Sequence, residues 1–452
     1  MKRKELEVTP DSTSLDEPLR TKSKQNDESR LNIVSTSLDY SQVQLVPWFQ
    51  AKGFTGLEHL EFRYSEKCGQ SLGCFALKSY SVGEVIFSIP QSCIFNYDPL
   101  LSTPLAQFVQ STLQKHGLKD SKEFLYWIHM IAERESFGCG IVSNGMKSNL
   151  QVYFQSLSKV SPSLLNWDPN LLSTFQGSNL GKSITDLKEL LVDYSKLIEQ
   201  IHEFEPEEST KFLPKNIFTY DSLLWAAGHY LSRRYPESFG TKNDENEIKL
   251  SFSDMDSSSS NQLSMLGNVG SLVPLLDILN HNHEREWIKF SVKDHKLQII
   301  CNYPIQKGQE IYSNYGCLSN GQLLLAFGYS LEDNPHDEYL LKLKIPNKPF
   351  FQSYFESNHV ENTPEMNESN QQFRSQLFSI QRGGIKGIPD NLLVLLDLLD
   401  KFQSNPNQSS SSSNNSTNML KFGMSSNNLE KFELIMPFLL NQLNLMKEIY
   451  PK

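Results

Sequence analysis

The sequence predicts an α+β fold, with a β-rich core split by a helical block and followed by a mainly helical C-terminal part. Three observations predict it. Short runs rich in β-branched and aromatic residues stand on both sides of the chain's middle, over residues 62–64, 75–77 and 84–89 and again over 287–292 and 297–303. Between the two groups, apolar residues recur at helical spacing. After residue 331 helical stripes return.

Residues 1–42 are polar and rich in Ser, Asp, Glu and Lys. They hold too little apolar surface to offset the entropy of ordering, so a disordered tail is expected. The core is expected over 43–331, with order starting near Val46 and Trp48. Gly83 turns the chain into a strand that Pro90 ends. The helical block is expected over about 99–214. Within it, Ser121 is placed to cap a helix with Phe124, Leu125, Trp127, Ile128, Ile131 and Ala132 on one face. Leu187, Leu190, Leu191, Tyr194, Leu197, Ile198 and Ile201 mark a longer helix. Thr219 can cap another, from Tyr220 to about Ser232, which Pro236 stops.

Residues 241–266 read as a disordered polar loop. Lys293, Asp294 and His295 form the turn between two strands, and Ser319 or Asn320 caps a helix over 321–327. A C-terminal domain is expected over 332–452. It opens with a strand over 339–345 and continues in helical stripes over 373–380, 392–402 and 429–450, with a low-complexity loop over 403–418.

Composition bounds the function. The 452 residues suffice for two or three domains. The net charge of -10, from 42 basic and 52 acidic residues, argues against direct nucleic acid binding. No apolar stretch approaches the length that spans a bilayer, and the basic N-terminus lacks an apolar h-region. The six cysteines show no C-x-C or C-x-x-C spacing, which fits a reducing, intracellular protein of the cytoplasm or nucleus. His281-x-His283 followed by Glu284 could suggest a metal site, but the sequence places no further ligand to complete it, so no metal is expected.

The chemistry concentrates over residues 271–329. The apolar run SLVPLLDILNHNHE carries Asp277, Asn280 and His281, and GQEIYSNYG places Tyr312, Tyr315 and Gly316 directly after a short strand. Polar tips behind apolar segments predict two backbone segments meeting at one pocket. Taken singly, each residue has a plain structural role. Asp277 can cap or turn the chain, Asn280 can satisfy buried backbone, and Tyr315 can be a packed aromatic with a bonded hydroxyl.

Taken together, these motifs resemble the SET-domain methyltransferases, in the branch that includes the Rubisco large-subunit lysine methyltransferase. The resemblance rests on D-x-x-N-H at Asp277, Asn280 and His281, and on Y-G-x-x-S-N-x-x-L-L from Tyr315 to Leu324. It also rests on SLGCFALKSYSVGEVIFSIP from Ser71 to Pro90, and on Trp225-Ala226 with Ser232-Arg233. It implies a SET domain split by a helical insertion, a helical substrate-binding C-terminal domain, and S-adenosyl-L-methionine as cofactor. It implies that Glu84, Val85, Ile86, Arg233, Asp277, Asn280, His281, Tyr315 and Phe327 hold the cofactor. It implies Tyr315 as the catalytic residue, with Tyr235 and Tyr312 beside the substrate channel. The implied activity is N-methylation of a protein side chain, lysine first, by a monomer with a protein substrate and no membrane. Histidine methylation and a non-catalytic SET-fold binding module are the alternatives. The chain departs from the family at Leu72-Gly73-Cys74, to which the G-x-G hairpin signature is reduced, and at Phe327-Gly328-Tyr329, where a tyrosine hydroxyl is missing.

Overall fold

A computed structural model describes residues 45–69, 71–119, 121–135, 150–236, 269–346 and 349–358, with Phe239, Glu247–Ile248, Phe373–Gln381, Leu392 and Leu395. The expected tail over 1–42, the loop over 403–418 and the stripe over 429–450 lie outside the described residues.

The strands group into small antiparallel sheets. β1 (Leu60–Ser65), β2 (Ser71–Ala76) and β9 (Glu310–Ile311) form one, in the order β1-β2-β9. β3 (Val85–Pro90), β8 (Lys296–Cys301), β7 (Ile288–Lys293) and β5 (Glu247–Ile248) form a second, in the order β3-β8-β7-β5. β4 (Arg234–Tyr235) pairs with β6 (Ser271–Leu272). The β7–β8 hairpin follows from its alternation. Ile288, Phe290, Val292, Leu297, Ile299 and Cys301 are buried while their neighbours face outward. Asp294 and His295 both take positive φ, 51° and 57°, which gives the turn the twist that a two-residue hairpin needs.

The expected polar loop over 241–266 is corrected at one place. Glu247–Ile248 pairs with Ser291 and Phe290 as the edge of the second sheet.

The helical block lies between β3 and β4. It contains α1 (Pro104–Lys115), α2 (Lys122–Arg134), α3 (Gln151–Ser156), α4 (Asn179–Phe204) and α5 (Pro206–Phe212), and α6 (Tyr220–Arg233) returns the chain to the sheets. Ser121 and Thr219 cap α2 and α6 as expected, accepting from Phe124 N and Ser222 N. The face of α2 is broader than expected, because every residue from Phe124 to Glu133 is buried. Apart from His129 and Glu133 the run is uncharged and largely apolar, which suits a helix enclosed by others rather than one lying on a surface. Trp127 lies between Tyr194 of α4 and Tyr230 of α6, with ring centroids at 5.6 and 6.3 Å.

α7 (Asn320–Phe327) starts with a capping box, in which Ser319 is the cap and Gln322 reaches back to it. Beyond it, β10 (Glu338–Pro346) pairs along its full length with β11 (Phe373–Gln381). This corrects the helical stripe expected over 373–380. Phe373, Leu377, Phe378 and Ile380 fit a helical period, but 378 and 380 also fit a strand, and a nine-residue partner decides between them. In the stripe expected over 392–402, Leu392 and Leu395 are helical and buried. Among the described residues no helix is long and apolar enough to cross a membrane, and Cys68, Cys74, Cys93, Cys301 and Cys317 are free.

Two fully buried histidines make stability depend on pH. His129 donates from Nδ1 to the Leu125 carbonyl at 2.6 Å, and burial lowers its pKa to about 4. Burial, with the Arg233 charge next, lowers that of His229 to about 3. The unfolded chain therefore binds protons below about pH 6.5 that the folded chain refuses, so stability is complete above that value and falls as the pH drops toward 4. Urea unfolding should show a flat midpoint above about pH 7 and a decline below about pH 6, of up to roughly 2.7 kcal/mol per pH unit for two such groups. A midpoint that does not move between about pH 6.5 and 5 would contradict this assignment.

Candidate active site

The two motif segments cross. Ser313 N donates to the Asn280 carbonyl at 2.9 Å, and Asn282 N donates to the Ser313 carbonyl at 3.0 Å, so that His281 and Ser313 form a parallel bridge. A 3₁₀ turn at Leu276–Ile278 leads into the crossing. Before it, buried Leu275 takes φ 77°, a strained value for a residue with a Cβ and one that surrounding structure must hold in place.

Asn280 ties three chain segments together. Its Oδ1 accepts from Ser71 Oγ at 2.8 Å, and its Nδ2 donates to Glu310 Oε1 at 2.7 Å and to the Leu72 carbonyl at 3.2 Å. Both amide protons are thus in use, and one acceptor lone pair remains. Glu310 is buried, and its Oε2 accepts from Ser65 Oγ at 2.6 Å. Gly73 is required by close approach, since a Cβ there would lie 2.4 Å from Glu310 Oε1.

Tyr315 stands on the crossing. Its N donates to His281 Nδ1 at 2.9 Å, and its hydroxyl donates to the Leu279 carbonyl at 2.8 Å. Its ring stacks on Phe327, with centroids 4.7 Å apart, and lies 5.0 Å from the His281 ring. Burial raises the Tyr315 pKa well above its ordinary value. Burial also lowers that of His281 to about 4, with smaller contributions from His283 and His336, so the ring accepts from Tyr315 as neutral imidazole.

Beside Tyr315 lies a cleft lined by Arg233, Tyr235, Asp277, Leu318 and Phe327 among others. Arg233 pairs with Asp277 through Nη1 and Oδ2 at 2.8 Å. Tyr153 donates its hydroxyl to the same oxygen at 2.7 Å. Tyr235 donates to the Leu276 carbonyl at 3.1 Å.

The structure brings Arg233, Tyr235, Asp277, Tyr315 and Phe327 to the cleft, with Asn280 and His281 adjoining Tyr315 on the crossing. Tyr312 is buried with its ring 5.9 Å from Trp287 and is not among the cleft residues. Glu84, Val85 and Ile86 are not brought together with Asn280. Glu84 pairs with Lys78 at the surface, Val85 is exposed, and Ile86 is buried in the core. They belong to the hairpin's second arm, which joins the other sheet, whereas Ser71, Leu72 and Gly73 on its first arm reach Asn280. Sequence reasoning also missed Tyr153, His229 and Glu310. Among the described residues no group of three or more His, Cys, Asp or Glu is arranged to hold a metal ion.

The chain superposes on the SET domain of LSMT crystallised with lysine and AdoHcy, with a TM-score of 0.57 and 20% identity over 80% of this chain and 71% of that one. It matches Rubisco LSMT bound to AdoMet with a TM-score of 0.54 and 19% identity, over 81% of this chain and 70% of that one. The chain has the SET fold. The SET form it shares with Rubisco LSMT is the one that its motifs resemble.

No protein-family model matches the chain. Among curated proteins, it is 28% identical over 146 residues to the ribosomal lysine N-methyltransferase set10 of Schizosaccharomyces pombe, covering 32% of this chain and 23% of that protein. It is 23% identical over 335 residues to ribosomal lysine N-methyltransferase 1 of Saccharomyces cerevisiae, covering 67% and 51%. It is 24% identical over 139 residues to the actin-histidine N-methyltransferase of Danio rerio, covering 30% and 19%. The matched SET chain thus spans between a fifth and about half of the length of these relatives.

Asn280→Ala removes three hydrogen bonds, one of them to a buried carboxylate. It should destabilise the protein by about 2–4 kcal/mol in urea unfolding. A wild-type unfolding midpoint would show that Asn280 does not tie the segments together.

Proposed function

We propose that this protein is an S-adenosyl-L-methionine-dependent protein N-methyltransferase that acts on a side-chain nitrogen, lysine first. The observation that carries the reading is the placement of Tyr315. Its ring is held between Phe327 and His281 at the edge of a cleft that also holds the Arg233 cation. The residues fit the cofactor. Arg233 suits its carboxylate, and the aromatic wall suits the apolar surroundings of a methyl group. When bound, the cofactor supplies a methyl group activated by a sulfonium. The domain reading goes with the activity: a SET domain over 43–331 with its helical insertion, and residues 332–452 as the part that holds the substrate.

The role of Tyr315 follows from its one proton. The hydroxyl donates that proton to Leu279, so it offers only lone pairs to anything else it meets. Lone pairs suit an electron-poor methyl and an amine N–H. With its pKa raised by burial, the hydroxyl is no base at neutral pH. Its contribution is orientation and a fixed dipole. A lysine attacks only as the neutral amine, which is roughly four in ten thousand of the free groups at pH 7. The aromatic cleft favours that form by disfavouring charge.

Similarity to both ribosomal lysine and actin-histidine methyltransferases keeps histidine as a second reading. A protein substrate, a monomeric enzyme and an intracellular site complete the proposal. Incubation with labelled S-adenosylmethionine and fractionated cell extract, followed by identification of the labelled residue, tests it. Label on a lysine supports the first reading and label on a histidine the second. No protein labelling across all fractions would favour a non-catalytic SET-fold binding module. On a confirmed lysine substrate the rate should rise between about pH 7 and 9. Tyr315→Phe should lower turnover roughly a hundredfold or more and leave cofactor affinity nearly intact. Wild-type turnover in that variant would exclude Tyr315 as the catalytic residue.

A further inference from the structure

Arg233 is held from two sides. Nη1 donates to Asp277 Oδ2, which Tyr153 also binds, and Nε donates to His229 Nδ1 at 3.5 Å. His229 lies one turn earlier on α6 and is 0% exposed. Its Nε2 is 2.8 Å from the Ser158 carbonyl, which can only accept. The ring proton therefore sits on Nε2, and Nδ1 presents a bare lone pair toward Arg233.

A core histidine that merely satisfies the Ser158 carbonyl is the plain alternative. That carbonyl, however, already accepts from Trp225 Nε1 at 3.0 Å. A leucine in place of His229 would leave it satisfied, while the Nε–H of Arg233 would lose its partner. His229 and Asp277 engage two of the five guanidinium N–H donors, on a side chain that lines the cleft. A guanidinium fixed in one rotamer before binding loses less entropy when an anion arrives.

We propose that His229 is a positioning residue for cofactor recognition. With Asp277 and Tyr153 it aims the Arg233 guanidinium so that its remaining donors meet a carboxylate entering the cleft. The proposal rests on reading the cleft as the S-adenosylmethionine site. It gives the helical insertion a part in that site, since Tyr153 and the Ser158 carbonyl both belong to it.

Calorimetry on the full chain with two ligands tests this. S-adenosylhomocysteine carries the carboxylate, and 5′-methylthioadenosine lacks the whole amino-acid end. His229→Leu should weaken the first by about five- to tenfold and leave the second unchanged. His229→Gln, whose amide oxygen can accept from Nε, should restore most of the loss. Tyr153→Phe should show a smaller selective loss. Equal weakening of both ligands, or of neither, in His229→Leu overturns the proposal. Arg233→Gln separates the two levels. If it loses no S-adenosylhomocysteine affinity, the reading of the cleft fails and the proposal with it. If it loses affinity selectively while His229→Leu does not, only the positioning role fails. Should His229→Leu not fold, Tyr153→Phe decides, its selective loss supporting the proposal and its absence overturning it.

Discussion

Two backbone hydrogen bonds between the segments at Asn280 and Ser313 hold the rest of the site in place. Parallel pairing needs a crossover, and here the β7–β8 hairpin and the return through β9 supply it. The register is strict. A shift by one residue would turn alternate side chains to the opposite face. His281 Nδ1 would then miss the Tyr315 N–H, and the Tyr315 hydroxyl would miss the Leu279 carbonyl. The side-chain bonds of Asn280 to Ser71, Leu72 and Glu310 fasten this crossing to the first sheet.

Two buried carboxylates flank the crossing, and they are stabilised differently. Asp277 has a cation, Arg233, at 2.8 Å. Glu310 has no basic residue within ion-pair distance among the described residues and is held by the neutral donors Ser65 and Asn280. A buried charge is tolerated only when paired or well hydrogen-bonded, and each solution has a structural consequence. The first fixes the direction of a guanidinium at the cleft. The second welds β1, β9 and the Asn280 segment together and leaves no room for a side chain at position 73.

Much of this was legible in the sequence. Alternation gave β7 and β8, and short polar residues ahead of apolar periods gave the caps at Ser121, Thr219 and Ser319. Composition misled at β11, where one set of apolar residues satisfies two periods and only the partner strand decides. The site's motif residues were readable because each motif is local. Which arm of the hairpin meets Asn280 was not readable, since it depends on strand pairing that no local pattern encodes. Tyr153 was invisible for a similar reason, as its partner Asp277 lies far along the chain. His229 carried a usable signal, the one-turn spacing to Arg233 on a helix already identified.

The arrangement also limits what chemistry the cleft can perform. A general base needs a free lone pair of suitable basicity facing the substrate. The Nδ1 lone pair of His281 is taken by the Tyr315 N–H. The hydroxyls of Tyr235 and Tyr315 each donate to a backbone carbonyl, and burial raises the pKa of both. If the cleft takes a substrate nitrogen, as proposed, the His281 ring and the two tyrosine hydroxyls therefore do not accept its proton. On this reading the nitrogen loses its proton to water before it settles, and an apolar aromatic wall keeps it neutral. What remains for the protein is to hold a neutral nitrogen and an electron-poor methyl in line, a task for fixed dipoles and rigid packing. The stacked Tyr315 and Phe327 rings, fastened at the crossing, provide that rigidity.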